Sequence, residues 1–233
     1  MLNPIDILRG ARAMYRVVDD PRRLDEVFVL ADLTESSKQL EKMTQGLRDD
    51  PEMSKLLDAK PRLGHLDRDV LASFDEGTLG RHYGEFMVAR GLFHENLTLI
   101  DGDDSDMGWM RNHLRETHDL WHVLTGFDTD VAGELGLQSF YIAQLEGPLP
   151  VLILAIGMLN TLFKEMDDVG PRMNAIVRGW VLGTRARSLF GLRFMDWMER
   201  PIADLRAEYG IDIEGVEEML SVTAPRTALF QAA

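Results

Sequence analysis

The chain has 233 residues, of which 45% are hydrophobic, and its 39 acidic and 25 basic residues give a formal net charge of −14. This length suits one domain with a buried core, and the negative charge argues against nucleic acid as a partner, because phosphate binding relies on clustered lysine and arginine. Cysteine is absent, which excludes disulfides, thiolate metal ligands and cysteine nucleophiles.

Apolar residues recur mainly at spacings of three and four, and convincing alternating patterns are absent, so the sequence predicts an all-α protein. There is no internal repeat, low-complexity tract or flexible linker, and residues 1–233 are therefore expected to form a single domain, a multi-helix bundle. The helices are expected, in chain order, at 3–18, 21–33, 35–50, within 50–64, in 75–93 after a turn, and at 108–125, 130–145, 148–163, 172–190, 201–210 and 214–220. A charged loop is predicted at 101–108.

The start of the chain carries charges at Asp6, Arg9 and Arg12, which interrupt the apolar region that a signal peptide needs. The longest apolar stretch lies at 148–163 and contains prolines at its beginning. It is shorter than the roughly 18 residues expected of a membrane span. The sequence therefore predicts a cytoplasmic protein, although this stretch also suits a protein that handles lipid.

The stretch "THDLWHVLTGFDTDVAGE", residues 117–134, places two histidines one helical turn apart. Because each residue of an α-helix turns by about 100°, His118, Asp119 and His122 fall on one quarter of the helix surface. Arg115 and Arg111 fall on the same side, one and two turns before His118. The apolar residues of this helix cluster on a different side, which separates a packing face from a polar stripe.

Glu134 can join this stripe only if the chain turns back, because a continuous helix would carry it roughly 18 Å beyond His122. Gly126 is suited to ending the first helix, and the residues after it can cap a second one. In an antiparallel helical hairpin folded here, Glu134 comes level with His122, and Gln138 comes level with His118.

Two histidines separated by one turn and a carboxylate from a neighbouring helix are donors that divalent metals accept. A site with only nitrogen and oxygen ligands fits zinc, iron, cobalt or manganese, and the spacing does not choose among them. Asp119 is expected to be a further ligand or to orient one. The alternative is a solvated helix face on which the histidines point into water. The string HDxxH differs from the HExxH of metalloproteases by a shorter acid, which argues against a protease.

The string "HDLWH", followed by eleven residues and Glu134, resembles the HDxxH(x11)E signature of the ubiquinone (coenzyme Q) biosynthesis protein 4 family. Two further segments, "DEGTLGRHYGEFM" and "FMDWMERPIADLRAEYGI", are similar to patterns upstream and downstream of that signature in the family. The resemblance covers about residues 21–213 and, since no mitochondrial presequence precedes it, indicates a bacterial member.

The resemblance implies an all-helical protein that holds a divalent metal at His118, Asp119, His122 and Glu134. Zinc is the metal it favours, with iron, cobalt, manganese or magnesium as alternatives. It implies a polyprenylated aromatic or isoprenoid lipid as ligand, and other ubiquinone-biosynthesis proteins as partners. It also implies peripheral contact with a membrane, here the inner face of the plasma membrane. A homodimer is compatible with the sequence.

Two roles follow from the resemblance. The first is an enzyme that replaces the carboxyl group of a polyprenylated hydroxybenzoate ring by a hydroxyl group, with His118 and Asp119 as catalytic residues. The second is a non-catalytic scaffold that binds the isoprenoid lipid and organises enzymes of the pathway.

Two other features of the sequence allow two explanations each. Arg111 and Arg115 could bind the substrate carboxylate through paired hydrogen bonds, or could form an exposed basic stripe. The apolar helix at 148–163 and the residues near Trp180 could line a tunnel for the isoprenoid tail, or could be ordinary core.

Overall fold

Helices make up nearly all the regular structure of this protein. The structure is a computed structural model that describes residues 4–21, 23–35, 38–92, 99, 103–145 and 147–223. The helices are α1 (Pro4–Asp19), α2 (Leu24–Glu35), α3 (Lys38–Asp49), α4 (Pro51–Ala59), α5 (Arg68–Ser73), α6 (Leu79–Arg90), α7 (Asp106–Thr125), α8 (Val131–Leu145), α9 (Pro148–Phe163), α10 (Val169–Arg185), α11 (Ile202–Tyr209) and α12 (Ile213–Thr223). Short 3₁₀ turns cover Met166–Asp168 and Phe194–Trp197. No strand occurs among these described residues, so the prediction of an all-α, single-domain helical bundle is confirmed.

The observed helices differ from the predicted ones at several of their ends and by one additional helix. Helix α7 begins two residues earlier than expected, because the Ser105 hydroxyl accepts a hydrogen bond from the Gly108 amide at 3.0 Å and caps the helix there. The predicted loop at 101–108 is correspondingly shorter, and its residues 101 and 102 lie outside the described ranges. Helix α10 ends at Arg185, because Ala186 adopts an extended conformation. Helix α5 was not predicted.

Helix α7 runs through the main hydrophobic core. Trp121 and Leu124 are almost completely buried, in agreement with the predicted packing face, and Leu120 is buried as well. The same helix also buries polar residues, and among these Glu116 forms two hydrogen bonds with the Arg62 guanidinium at 2.8 and 2.9 Å. This ion pair joins the segment between α4 and α5 to α7. Because most sides of α7 are covered, it is a central element of the bundle.

Helices α8 and α10 pack with their backbones in direct contact. A Cβ atom added at Gly179 of α10 would lie 1.9 Å from the carbonyl oxygen of Gly136 in α8. A Cβ at Gly183 would lie 2.9 Å from the Phe140 carbonyl oxygen, one turn further along. Small residues at this interface are therefore required for close approach. The position of α8 is set by α10.

Helix α1 is held by a smaller hydrophobic cluster. Ala13 and Val17 of α1 pack with Leu30 of α2 and Ile156 of α9. The Asn160 side chain of α9 donates a hydrogen bond to the Val18 carbonyl oxygen at 2.7 Å. These contacts attach the first two helices to the outer side of α9, away from the main core.

Helix α9 exposes much of its apolar sequence. Only four of its residues are buried, namely Ile156, Gly157, Asn160 and Thr161. Leu162 and Phe163 are 57% and 67% exposed, and Trp180 on α10 is 49% exposed. The structure therefore contradicts core packing as the explanation for these side chains. No helix within the described residues is both long enough and apolar enough to cross a membrane.

Candidate metal centre

The turn between α7 and α8 brings the predicted ligands together. Gly126 has a φ of 71°, a conformation that favours glycine, and its amide donates to the His122 carbonyl oxygen at 2.8 Å. The chain then reverses, and α8 begins at Val131. His122 of α7 contacts Glu134 of α8, and His118, one turn earlier, contacts Tyr141, two turns later. This pairing confirms the antiparallel helical hairpin.

Three donor groups converge at this hairpin. The Nε2 atoms of His118 and His122 are 3.2 Å apart. Glu134 places Oε1 3.2 Å from Nε2 of His122 and Oε2 3.7 Å from Nε2 of His118. Two nitrogens bound tetrahedrally to zinc, each about 2.0–2.1 Å from the metal, lie about 3.3 Å apart. The observed spacing therefore fits the edges of one metal coordination polyhedron.

His122 is held in the tautomer that a metal requires. Its Nδ1 lies 3.1 Å from the Phe127 carbonyl oxygen, which can only accept, so Nδ1 carries the proton. Nε2 is then left with a free lone pair directed at His118 and Glu134. The His122 ring is buried and stacks on Phe86 of α6, with ring centroids 5.7 Å apart. The solvated-face explanation is therefore wrong for this histidine.

His118 is partly exposed and lies against the ring of Tyr141. The two rings are nearly parallel, and Nδ1 of His118 is 3.4 Å from the Tyr141 hydroxyl. Burial is the main reason that the pKa of His118 is lowered, and the neighbouring His122 lowers it further. A lowered pKa favours the neutral imidazole, which is the form that binds a metal.

Asp119 lies in the same group. One ligand atom from each of His118, Asp119 and His122 can be chosen so that all three lie within 4.8 Å of one another, and this group could bind a metal ion. Burial, together with the Asp119 charge, raises the pKa of both Tyr83 of α6 and Tyr141 of α8. The Asp119 carboxylate therefore lies near two phenols that keep their protons.

Glu134 keeps its negative charge. Burial by itself would raise the pKa of this carboxyl group, but the hydrogen bond with His122 and the charges of both histidines outweigh it, and the net pKa is lowered. A carboxylate and two imidazoles are a donor set suited to zinc, iron, cobalt or manganese. It does not identify one metal.

Two arginines hold the end of α7 that carries His122. Arg206 of α11 donates to the carbonyl oxygens of Val123 and Leu124, each at 2.9 Å. The Arg178 guanidinium of α10 lies over the Phe127 ring at 4.1 Å. Cations at a helix C-terminus are favourable, because the last carbonyl groups there lack helical partners.

The predicted substrate-binding arginines lie further along α7, and each has a contact of its own. Arg111 forms an ion pair with Asp103, at 2.8 Å between Nη2 and Oδ2. The Arg115 guanidinium lies over the ring of Phe28 in α2, 4.9 Å from its centroid. Both side chains are half-buried, so they do not form a fully exposed basic stripe.

Sequence reasoning missed the residues that orient the histidines. From the sequence we expected Gln138 to lie level with His118, whereas in the structure His118 contacts Tyr141. The longer tyrosine side chain reaches back from the following turn. Glu134, Gln138 and Tyr141 have helical i, i+4, i+7 spacing, so extending the ligand face by one turn would have identified Tyr141. The Phe127 carbonyl acts through the backbone and leaves no sequence signal.

Comparison with known proteins gives one consistent result. Residues 7–214 match the sequence profile of the family described as "Coenzyme Q (ubiquinone) biosynthesis protein Coq4". The mitochondrial COQ4 homolog of Xenopus laevis is 31% identical over 208 residues, which cover 88% of this chain and 72% of the relative. Mitochondrial COQ4 of Coprinopsis cinerea is 28% identical over 217 residues, covering 88% and 70%. A crystal structure of a candidate ubiquinone biosynthesis protein from Nostoc punctiforme has a TM-score of 0.76 at 27% identity, covering 88% of this chain and 97% of that one.

Proposed function

Because this chain belongs to the Coq4 family of coenzyme Q (ubiquinone) biosynthesis proteins, we propose that it is a metal-dependent enzyme of that pathway. Its substrate would be a polyprenylated hydroxybenzoate, and it would replace the ring carboxyl group by a hydroxyl group. His118, His122 and Glu134 would bind the metal, and Asp119 would be a further ligand or would orient one.

One observation carries this proposal, namely the convergence of two imidazole nitrogens and a carboxylate within 3.2–3.7 Å. Three acceptor groups facing one another at this distance repel unless a proton or a metal ion lies among them. The Phe127 carbonyl fixes one of the lone pairs towards the common point. The donors are nitrogen and oxygen only, which matches the requirement set by the absence of cysteine.

The reaction breaks the bond between the ring and the carboxyl carbon, releases carbon dioxide and forms a carbon–oxygen bond at the same ring carbon. The ring loses two electrons, and we propose dioxygen as the oxidant: one of its oxygen atoms would become the ring hydroxyl oxygen, and the other would be reduced to water with two protons and two electrons from an external reductant such as ascorbate. When bound, a divalent metal would polarise a substrate oxygen and stabilise developing negative charge. Asp119 would accept the proton of the ring hydroxyl, and the buried wall of Phe86 and Tyr141 would limit access of water.

Arg111 and Arg115 would position the carboxylate before it leaves. A guanidinium can bind a carboxylate through two parallel hydrogen bonds. For Arg111, the substrate carboxylate must displace Asp103 or share the guanidinium with it. For Arg115, the guanidinium must leave the face of Phe28. Both changes are small side-chain movements at half-buried positions.

The proposal is tested with purified protein, a prenylated hydroxybenzoate in detergent micelles, ascorbate as reductant and one equivalent of zinc, iron, cobalt or manganese. Product is measured by mass spectrometry under air and under argon, and ¹⁸O₂ labels an oxygen that comes from dioxygen. Glu134→Gln should reduce product formation at least about 100-fold, since it removes the charged ligand. Glu52→Gln, at an exposed position of α4, is the matched control. Equal turnover by wild type and Glu134→Gln would contradict the assignment of the site.

A second candidate function is a scaffold that binds isoprenoid lipid and assembles other ubiquinone-biosynthesis proteins at a membrane. It is favoured by the exposed side chains of Leu162, Phe163 and Trp180, since such apolar surface often marks an interaction site. A scaffold would lose stability on removal of the metal but would form no product as a single purified protein. Vesicle flotation and light scattering would test the proposed peripheral membrane contact and the proposed homodimer.

A further inference from the structure

Tyr141 is placed to control the orientation of His118. Its hydroxyl lies 3.4 Å from Nδ1 of His118, and its ring is nearly parallel to the imidazole, with an interplanar angle of 12°. The tyrosine ring is itself fixed on its own side by Trp121, with centroids 4.3 Å apart and an angle of 9°. The hydroxyl is thus held at one position beside the histidine by packing on both sides.

The two histidines of the centre have different partners on Nδ1. His122 has the Phe127 carbonyl oxygen, which can only accept a hydrogen bond, so its tautomer is fixed. His118 has the Tyr141 hydroxyl, which can both donate and accept. When the hydroxyl donates, the His118 proton lies on Nε2 and can be shared with Nε2 of His122 at 3.2 Å. When the hydroxyl accepts, Nε2 of His118 is free for a metal.

We propose that Tyr141 is a positioning residue that lets His118 exchange tautomers, and so allows metal to bind between two histidines that otherwise share a proton. This inference rests on the metal site of the proposed function. It does not require Tyr141 to touch the metal or the substrate. It assigns to the hydroxyl the role of keeping Nδ1 of His118 hydrogen-bonded in both states, because the hydroxyl can donate in one state and accept in the other.

The Tyr141→Phe substitution separates the hydroxyl from the ring, because phenylalanine keeps the packing on Trp121. Outer partners of metal-bound histidines typically contribute about 10–100-fold to metal affinity. We therefore expect Tyr141→Phe to weaken zinc and cobalt(II) binding by about 10–100-fold, measured by competition with a chromogenic chelator. The cobalt(II) absorption bands should also shift. Tyr209→Phe removes the hydroxyl of another buried tyrosine, on α11, and should leave both measurements unchanged.

A measurement on the wild-type protein alone gives an independent check. In zinc-loaded protein labelled with ¹⁵N-histidine, both His118 and His122 should show protonated Nδ1 and zinc-bound Nε2, distinguishable among the six histidines by substitution. In the metal-free protein, the His118 signals should report a proton on Nε2, whereas His122 stays protonated on Nδ1.

The outcomes separate this inference from the proposed function. If wild type binds zinc and Tyr141→Phe binds it equally tightly, the role of Tyr141 is wrong and the metal site stands. If wild type binds none of zinc, cobalt(II), iron and manganese, both are wrong. An equal loss of affinity in Tyr209→Phe would show a general effect of removing a buried hydroxyl, which would also overturn the inference.

Discussion

His122 Nε2 and Glu134 Oε1 are 3.2 Å apart, although twelve positions separate the two residues along the chain. The five residues from Gly126 to Asp130 reverse the chain between two helices and bring both side chains to one point. A carboxylate and an imidazole that approach in this way usually serve a common proton or a common metal ion. The relationship makes the metal content of the protein the first quantity to measure.

Removing either partner should abolish stoichiometric metal binding. We expect near one zinc per chain in wild type after reconstitution, and an affinity reduced at least about 100-fold in His122→Ala and in Glu134→Gln. Elemental analysis after gel filtration measures the content. His65→Ala, which removes an exposed histidine paired with Asp67, is the control and should retain its metal. Full occupancy in His122→Ala would contradict the proposed ligand set.

Stability should fall between about pH 6.5 and pH 4 because of His113. Burial lowers the pKa of this residue to about 4, and its Nε2 accepts a hydrogen bond from the Gly191 amide at 3.1 Å. The unfolded chain, with a pKa of about 6.5, takes up the proton first, so the stabilisation is complete above that pH and is lost as the pH falls. From pH 7 to pH 5 the loss should be about 2 kcal/mol.

Urea unfolding of metal-free protein at several pH values measures this dependence. In His113→Gln the free energy of unfolding should depend less on pH over the same interval, whatever its absolute value. An unchanged slope in that variant would show that other groups cause the pH dependence.

Gly179→Ala should destabilise the protein, because the added Cβ would lie 1.9 Å from the Gly136 carbonyl oxygen and the two helices would have to separate. Overpacking of this kind typically costs about 1–3 kcal/mol, and the melting temperature should fall. The control is Gly170→Ala in the same helix, where nothing lies within 4 Å of the added atom. This control substitution should raise the free energy of unfolding slightly, by about 0.4–1 kcal/mol. A loss of stability in Gly170→Ala equal to that in Gly179→Ala would argue against the close contact as the cause.

Arg206→Met should loosen the C-terminal end of α7. It removes two hydrogen bonds to the carbonyl oxygens of Val123 and Leu124, at an expected cost of about 2 kcal/mol. Hydrogen exchange should accelerate in the last turn of α7, and zinc affinity should decrease because His122 lies in that turn. Arg200→Met, which breaks a partly exposed ion pair with Glu208, should cost less than about 1 kcal/mol. Unaltered exchange in Arg206→Met would contradict this role.

The convergence of His118, His122 and Glu134 was predictable from sequence because its geometry follows from helix periodicity and one glycine. The spacing of His118 and His122 places them on one face, and Gly126 marks the point at which the chain must turn. The distance of Glu134 from that turn then determines that it meets His122. These relationships join residues that are close in the chain, so they can be inferred from one sequence.

Contacts between distant segments were not predictable in the same way. The exposure of Phe163 depends on which helices cover α9, and hydrophobicity alone favoured burial of this residue. The contact of Gly179 with α8 depends on the packing of two helices that a single sequence does not align. In each case the deciding interaction joins residues far apart in the chain.

The glycine contact between α8 and α10 has a mechanical consequence for the centre. Ordinary helix pairs are separated by a layer of side chains, which can change rotamers and absorb a displacement. Here the carbonyl oxygen of Gly136 meets the backbone of Gly179 with no such layer between them. A movement of α10 would therefore displace α8 by nearly the same amount, and Glu134 would move with α8. The outer side of α10 bears Trp180, so contact there could start such a movement.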